Sequence, residues 1–373
     1  MGDKVRIGVV GTSWWADAMY LPALAAHPLA DVRAVAGATR PEHTRAFAAA
    51  WGIPGAYGTT EAMLDGEELD AVLVLSRNDD HLRSATAAIE RGLHVLCEKP
   101  LALSAPDARA MAEAAARAGI ITMVPFTYRF MPVNRYVKEL VDEGYIGRPY
   151  HLDMRYFTGY GRDGEYAWRF DAGVAGSGVS GDIGSHFIYL ARWYFGEVEA
   201  VTAVLTRTVP RAPRPDGTTY VAADDNAVMI LEFANGATGT IHVTSLAYEP
   251  GDFGQRHDMD LHGSTGSLHT TTDWIRVQRV EGCRDGEDET HPLPIPDHVW
   301  GDARRDDVHD TYKDVFRLQD HMTRGFVTAV AEGRPASPDF ADGLAVQRVV
   351  DAANLSAREG RRVAIAEIVA AGG

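Results

Sequence analysis

The 373-residue sequence predicts a two-domain α/β protein, with an N-terminal doubly wound parallel sheet followed by an α+β domain built on an open, mainly antiparallel sheet. Three observations carry this reading. Up to about residue 125, short β-branched runs alternate with helical stretches, the pattern of strands covered by helices on both faces. Beyond that point apolar runs are separated by tight-turn signals, as antiparallel hairpins require. The chain is also too long for one ordinary core. The domains are placed at 1–125 and 126–373.

In the first domain VRIGVV, VRAVAGA, DAVLVL, HVLCE and ITMV read as strands, and their near-continuous apolar character fits burial on both faces. Helices are expected between them at 41–51, 80–91 and 105–118, the last beginning at Ser104 as cap with Asp107 three residues on. In the second domain helices are expected at 133–143 and at about 181–194. Strands follow at 198–209, 227–233, 238–246, 259–262 and 275–280, with FANGAT and HGSTGS as hairpin turns. The acidic, Pro- and Gly-rich stretch 281–310 reads as a long loop or lid, before two closing helices at 312–332 and 341–358.

Composition narrows the function. With 46% hydrophobic and 24% charged residues the chain belongs with globular proteins. A net charge of -16 without a basic cluster argues against nucleic acid. No apolar stretch is long enough for a bilayer and MGDKVR carries no signal region, so a cytoplasmic protein is expected. Cys97 and Cys283 stand far apart, outside any CxxC pair, and the histidines show no convincing liganding frame. Neither a disulfide framework nor a metal is expected. An open sheet tends to find a partner, which suggests a homodimer or homotetramer.

GVVGTSWWA, residues 8–16, occupies the first strand-to-helix turn, where a dinucleotide pyrophosphate rests on a helix N-terminus. The three glycine positions of the nucleotide fingerprint hold Gly11, Ser13 and Ala16. Ser13 adds a side chain at the point of closest approach, and also a hydroxyl for a phosphate oxygen. Thr12 and Trp14 share the turn. At the second strand's end Gly37 stands where an NAD site places its ribose-binding acid, followed by Thr39 and Arg40. Arg40 would pair with a 2′-phosphate, which favours NADP over NAD; its alternative is a solvated charge at a helix start.

HVLCEKPLALS at 94–104, DAVLVLSRNDDHLRSATAAIERG before it, YRFMP at 128–132, SGDIGSHFIYLARW at 180–193 and FADGLAVQRVVDAANLS at 340–356 occur in order along the chain. Together they resemble the glucose–fructose oxidoreductase and inositol dehydrogenase family of nicotinamide-dependent sugar and polyol oxidoreductases. The resemblance implies a Rossmann domain and a substrate domain, with cofactor and substrate meeting between them. It implies Lys99, Asp182 and His186 as catalytic residues, and Ser76, Asn78, His81 and Glu98 as further cofactor contacts.

The chemistry agrees with these residue types. Oxidising a secondary alcohol needs a proton acceptor and a positive donor for the developing alkoxide. Lys99 lies at the C-terminal edge of a parallel strand, where ligands bind. Asp182 and His186 are four apart in a helical stretch and share a face; His186 suits proton acceptance and Asp182 a hydroxyl. Arg129, Trp168 and Arg169 are further substrate candidates, because Arg forks and aromatic faces suit carboxylates and sugar rings. The tyrosine-, arginine- and glycine-rich segment 155–168 reads either as a substrate loop or as a Gly-bent turn with exposed tyrosines. Two departures from the family pattern stand out. Tyr189 occupies the position of a substrate-binding acid, and Arg77 stands where a proline usually precedes Asn78. The expected activity is an NADP-favouring dehydrogenase or reductase acting on a sugar or polyol. A redox-neutral enzyme that oxidises its sugar transiently and a non-catalytic NADP(H) or sugar sensor are the alternatives.

Overall fold

A computed structural model describes residues 4–37, 40–251 and 254–373. They divide into two compact units, one of residues 1–125 and 313–345, the other of 126–312 and 346–373.

The first unit is built on six parallel strands, β1 (Val5–Val10), β2 (Ala30–Ala36), β3 (Gly55–Tyr57), β4 (Ala71–Val74), β5 (His94–Cys97) and β6 (Thr122–Met123), in the order β3-β2-β1-β4-β5-β6. The order reverses direction beside β1, the switch point at which such sheets bind ligands. Ile7, Val9, Val72, Leu73, Val95 and Leu96 are fully enclosed, and each contributes about 1.5–3 kcal/mol of burial. Cys97 is buried in β5, as a strand residue should be. Helices Pro41–Trp51 and Ala105–Ala118 end on Gly52 and Gly119, both left-handed, the usual device for satisfying terminal carbonyls. Ser104 caps the second of them by accepting from the Asp107 amide at 3.3 Å.

The expected closing helix at 312–332 is two helices, Val308–Arg317 and Met322–Glu332. Met322, the first residue of the second helix, takes a φ of 44° and is fully buried. The second domain was expected to run to the C-terminus, yet residues 313–345 belong to the first unit. The reason is packing. Phe316 sets its edge against Tyr20 and Trp15 at 5.0 and 5.8 Å, Val124 donates its amide to Pro338 O at 2.8 Å, and Gly343 lies against Leu101 and Val124, too close for a Cβ.

The second unit carries a nine-stranded sheet in the order β14-β13-β12-β11-β7-β10-β9-β8-β15. Its strands are β7 (Pro149–Phe157), β8 (Val198–Thr206), β9 (Asn226–Phe233), β10 (Thr238–Thr244), β11 (Arg256–Gly263), β12 (Gly266–Thr272), β13 (Gln278–Arg284), β14 (His291–Pro292) and β15 (Val363–Ala364). All pairs are antiparallel except β7 with β10. FANGAT and HGSTGS join β9 to β10 and β11 to β12 as hairpins. Three expectations change. Residues 155–157 are the end of the central strand β7 and not part of a loop; Leu152, Met154 and Tyr156 point inward. Residues 275–277 lie before β13, in a turn where Asp273 Oδ1 accepts from the amides of Ile275, Arg276 and Val277. The segment 281–310 contains the end of β13, β14 and the short helix Asp297–Trp300. Among the described residues no helix is long and apolar enough to cross a membrane, and no group of three or more His, Cys, Asp or Glu could hold a metal.

Candidate active site

In the first unit the turn after β1 shows why its first glycine is needed. Gly11 has a φ of 108°, and a Cβ there would lie 2.7 Å from Leu75 O. Only glycine takes that conformation without strain, and the bare backbone it leaves is the form of a pyrophosphate cradle. Ser13 is exposed, and its Oγ accepts from the Ala16 amide at 3.3 Å. The hydroxyl thus caps the following helix while its own proton points elsewhere, so Ser at this position leaves the turn compatible with a phosphate. Trp14 is 67% exposed. Trp15 turns inward and donates from Nε1 to Glu98 Oε1 at 2.9 Å.

At the end of β2, Thr39 lies outside the described residues. Arg40 is exposed at the start of helix Pro41–Trp51. A Cβ on Gly37 would fall 2.4 Å from Thr44 Oγ1 and 3.3 Å from Thr12, so an acidic side chain does not fit without displacing Thr44. His43, which sequence reasoning passed over, bonds through Nε2 to Thr12 O at 3.0 Å. It ties the second helix to the phosphate turn.

The loops after β4 and β5 hold the remaining first-unit candidates. Ser76 is half-buried, and its hydroxyl finds no partner among the described residues. Asn78 is buried at the first turn of helix Asn78–Ile89. His81 is enclosed, with Nδ1 3.0 Å from Pro100 O and Nε2 3.2 Å from Ser76 O. Burial lowers its pKa and favours the neutral ring. It staples the two loops together. Glu98 is likewise buried, accepting from Trp15, from Tyr20 OH at 2.5 Å and, through Oε2, from the Lys99 amide at 3.0 Å. The structure gives it the task of fixing the backbone from which half-buried Lys99 projects.

In the second unit, Asp182 and His186 are not on one continuous helix. Asp182 ends the short helix Val179–Asp182, and after Ile183 a new helix, Gly184–Phe195, begins and carries His186. The first of these is seated on buried Asp224, whose carboxylate accepts from the Gly178 and Ser180 amides at 2.8 Å each and from Ser180 Oγ at 3.0 Å. Tyr160 OH donates to Asp182 Oδ2 at 2.9 Å, and Arg169 Nε lies 3.4 Å from the same oxygen. His186 packs against Tyr128 with ring centroids 4.4 Å apart. Burial first, then neighbouring hydroxyls and the Asp182 charge, set the Tyr128, Tyr156 and Tyr160 hydroxyls well above their usual pKa. Asp182 and His186 therefore share one tyrosine-lined neighbourhood.

The softer candidates separate. Arg169 is exposed, with its guanidinium 4.6 Å over the Trp168 ring. Tyr189 is 3% exposed, stacked on Phe126 at 4.7 Å, and accepts from Arg129. Arg129 also lies 4.9 Å over Trp193. Arg129, Tyr189 and Trp193 form one packed unit, whereas exposed Arg169 stands near Asp182 over half-buried Trp168.

Beneath His186 lies a layer that sequence reasoning missed. Tyr128 OH and Tyr156 OH are 2.8 Å apart, Gln255 donates to Tyr156 at 2.9 Å, and Trp274 Nε1 donates to His257 Nε2 at 2.9 Å. Trp274 is held at a φ of 58°, a strained value for a bulky residue. The signal available was the aromatic spacing of Tyr128, Tyr156 and Trp274, with no motif to join them. Burial pushes the His257 pKa down to about 3. Its unfolded value is near 6.5, so the neutral ring stabilises the fold fully above that pH and progressively less as pH falls toward 3. Between pH 7 and pH 5 wild type is expected to lose about 2 kcal/mol more stability than His257→Gln. Urea unfolding at the two pH values measures this, and equal losses would contradict it.

Two family models match the chain. The NAD-binding Rossmann fold of an oxidoreductase family, GFO/IDH/MocA, matches residues 5–126, and the GFO/IDH/MocA C-terminal domain matches 134–269. The chain belongs to the GFO/IDH/MocA oxidoreductase family. Levoglucosan dehydrogenase of Pseudarthrobacter phenanthrenivorans is 29% identical over 99% of this chain and 100% of its own. D-xylose 1-dehydrogenase (NADP(+)) 2 of Haloferax volcanii is 29% identical over 96% and 99%. A solved levoglucosan dehydrogenase in complex with NADH and levoglucosan superposes with a TM-score of 0.84 at 28% identity, covering 97% of this chain and 100% of that one. This GFO/IDH/MocA protein is thus an oxidoreductase of a sugar dehydrogenase family with an NAD-binding fold.

Proposed function

We propose that the protein transfers a hydride between a secondary alcohol or lactol of a sugar and NADP(H). The reading rests on one observation above the others: Asp182 and His186 emerge on either side of the break at Ile183, beside Tyr128, which packs on the His186 ring and feels the Asp182 charge. Gly11, Thr12 and Ser13 hold the pyrophosphate, and Arg40 pairs with the 2′-phosphate. When bound, the nicotinamide supplies the hydride acceptor or donor. His186 takes the hydroxyl proton as the alcohol is oxidised, while Lys99 offers a positive hydrogen-bond donor to the oxygen on which charge develops. Asp182 accepts from a neighbouring substrate hydroxyl and aligns the sugar. Trp168 and Arg169 give the ring an aromatic face and a polar fork.

A sugar fits better than an inositol, because the position of a further acid is taken by Tyr189, which is buried and bonded to Arg129. The NADP preference is supported by the lack of room for an acid at Gly37 and by Arg40 beside it. Absorbance of the reduced nicotinamide, followed with NADP+ and with NAD+ over aldoses, anhydrosugars and inositols, tests both statements. The expected result is NADP+ reduction by a sugar and a loss of about tenfold in NADP+ affinity, but not NAD+ affinity, in Arg40→Ala. A preference for NAD+ that Arg40→Ala leaves unchanged would remove the cofactor assignment.

A further inference from the structure

Tyr160 lies in the turn that follows β7, and the turn is built to hold it still. Thr158 and Gly161 donate their amides to Thr244 O and Ser245 O at 3.0 Å each, and Ala247 donates back to Thr158 O at 2.9 Å. The flanking glycines leave no alternative, since a Cβ at Gly159 would meet Ala247 O at 2.8 Å and one at Gly161 would meet Ser245 Oγ at 2.3 Å. The Tyr160 ring stacks on buried Phe170, with centroids 5.5 Å apart and planes at 27°. The Arg211 guanidinium also lies over Phe170, 3.8 Å from its centroid. Arg211 is in turn bound to Gly161 O at 2.7 Å and to Asp225 at 3.4 Å. So much backbone and ring contact fixes one atom, the hydroxyl oxygen 2.9 Å from Asp182 Oδ2.

Burial, and then the Asp182 charge, holds the Tyr160 hydroxyl well above its usual pKa, so it remains a donor across the working range. A hydrogen bond to a carboxylate favours the ionised form and costs that carboxylate basicity. The charged and titratable groups around Asp182 include Tyr160, Arg169, Tyr128, Tyr156 and, four residues on, His186. Of these, Tyr160 makes the 2.9 Å bond and Arg169, at 3.4 Å, is exposed at the surface.

We propose that Tyr160 is a positioning residue for the reaction: its bond to Asp182 keeps that carboxylate ionised and aimed, so that Asp182 orients the sugar and the substrate proton goes to His186. The proposal rests on the roles given above to Asp182 and His186. Arg169 adds charge but not direction, because its side chain is exposed. The division of labour between an acid and an imidazole in one neighbourhood is then set by a third residue that need not touch substrate.

Two readouts test it. In protein labelled with carbon-13 at aspartate Cγ, the resonance lost in Asp182→Asn identifies Asp182, and its midpoint is expected to rise by about one pH unit in Tyr160→Phe. This measurement needs no turnover, so it stands even if no sugar in the panel is a substrate, an outcome that would strike only the proposed activity. In turnover, Tyr160→Phe is expected to lower kcat about tenfold, to move the acidic limb of kcat/KM upward, and to leave NADPH affinity within twofold. Tyr160→Phe added to Asp182→Asn is expected to cost nothing further. An Asp182 midpoint that does not move, or a Tyr160 effect of equal size in the Asp182→Asn background, would overturn the proposal.

Discussion

Lys99→Ala is expected to lower kcat/KM by about three orders of magnitude while NADPH binding, read from quenching of exposed Trp14, stays within a few-fold. The size follows from two losses together, a donor to the developing alkoxide and its positive charge. The clean separation of turnover from binding follows from the way the backbone is held. Glu98 grips the Lys99 amide, and Glu98 is itself held by Trp15 and Tyr20; none of these bonds uses the Lys99 side chain. The loop after β5 therefore keeps its shape in the variant. Undiminished hydride transfer in Lys99→Ala would remove Lys99 from the mechanism, and a parallel loss of NADPH binding would make it a cofactor ligand first.

The largest effect on stability is expected at Gly178, far from any glycine motif. An alanine Cβ there would lie 1.8 Å from Asp224 O and 2.6 Å from its carbonyl carbon. Both are backbone atoms, so no side chain can swing away. Separating the segments breaks the bonds from the Gly178 and Ser180 amides and from Ser180 Oγ to Asp224, and leaves a buried carboxylate without its donors. Gly178→Ala should cost about 3 kcal/mol or more. Asp182 bonds through its amide to Gly178 O at 2.8 Å, so whatever folds should also have a displaced Asp182. Gly58→Ala, where a Cβ meets nothing within 4 Å, serves as the neutral control. Chemical unfolding of both variants decides the matter; matching midpoints would refute the argument.

The parts of the molecule visible in the sequence were those whose cause is local. Continuous apolar runs placed β1, β2, β4 and β5, and Ser104 with Asp107 marked a helix start by a rule that acts within a few residues. The strand β7 escaped because its alternation of Leu152, Met154 and Tyr156 with Asp153 and Arg155 lies in a segment whose aromatic and basic residues read equally well as a loop. The break at Ile183 escaped because Asp182 and His186 stand four apart whether or not a helix connects them. Residue types announced the candidate chemistry at Lys99, Asp182 and His186, but not what holds those groups. Glu98, Asp224 and Tyr160 reach partners 22 to 83 positions away in the chain, and no local pattern encodes such a distance.

The return of residues 313–345 to the first unit also bears on the order in which the protein can come to completion. Tyr20 and Trp15 wait for Phe316, and the edge at β6 waits for Pro338 and Phe340. A growing chain emits all the strands of the nucleotide-binding sheet first and the residues that seal it almost last, after nearly the whole second unit has emerged. During that interval the first unit carries an apolar scar that only its own distant tail fits. A cut at residue 125 would make the scar permanent, so the cofactor-binding unit is one object in space that cannot be taken as one piece of chain.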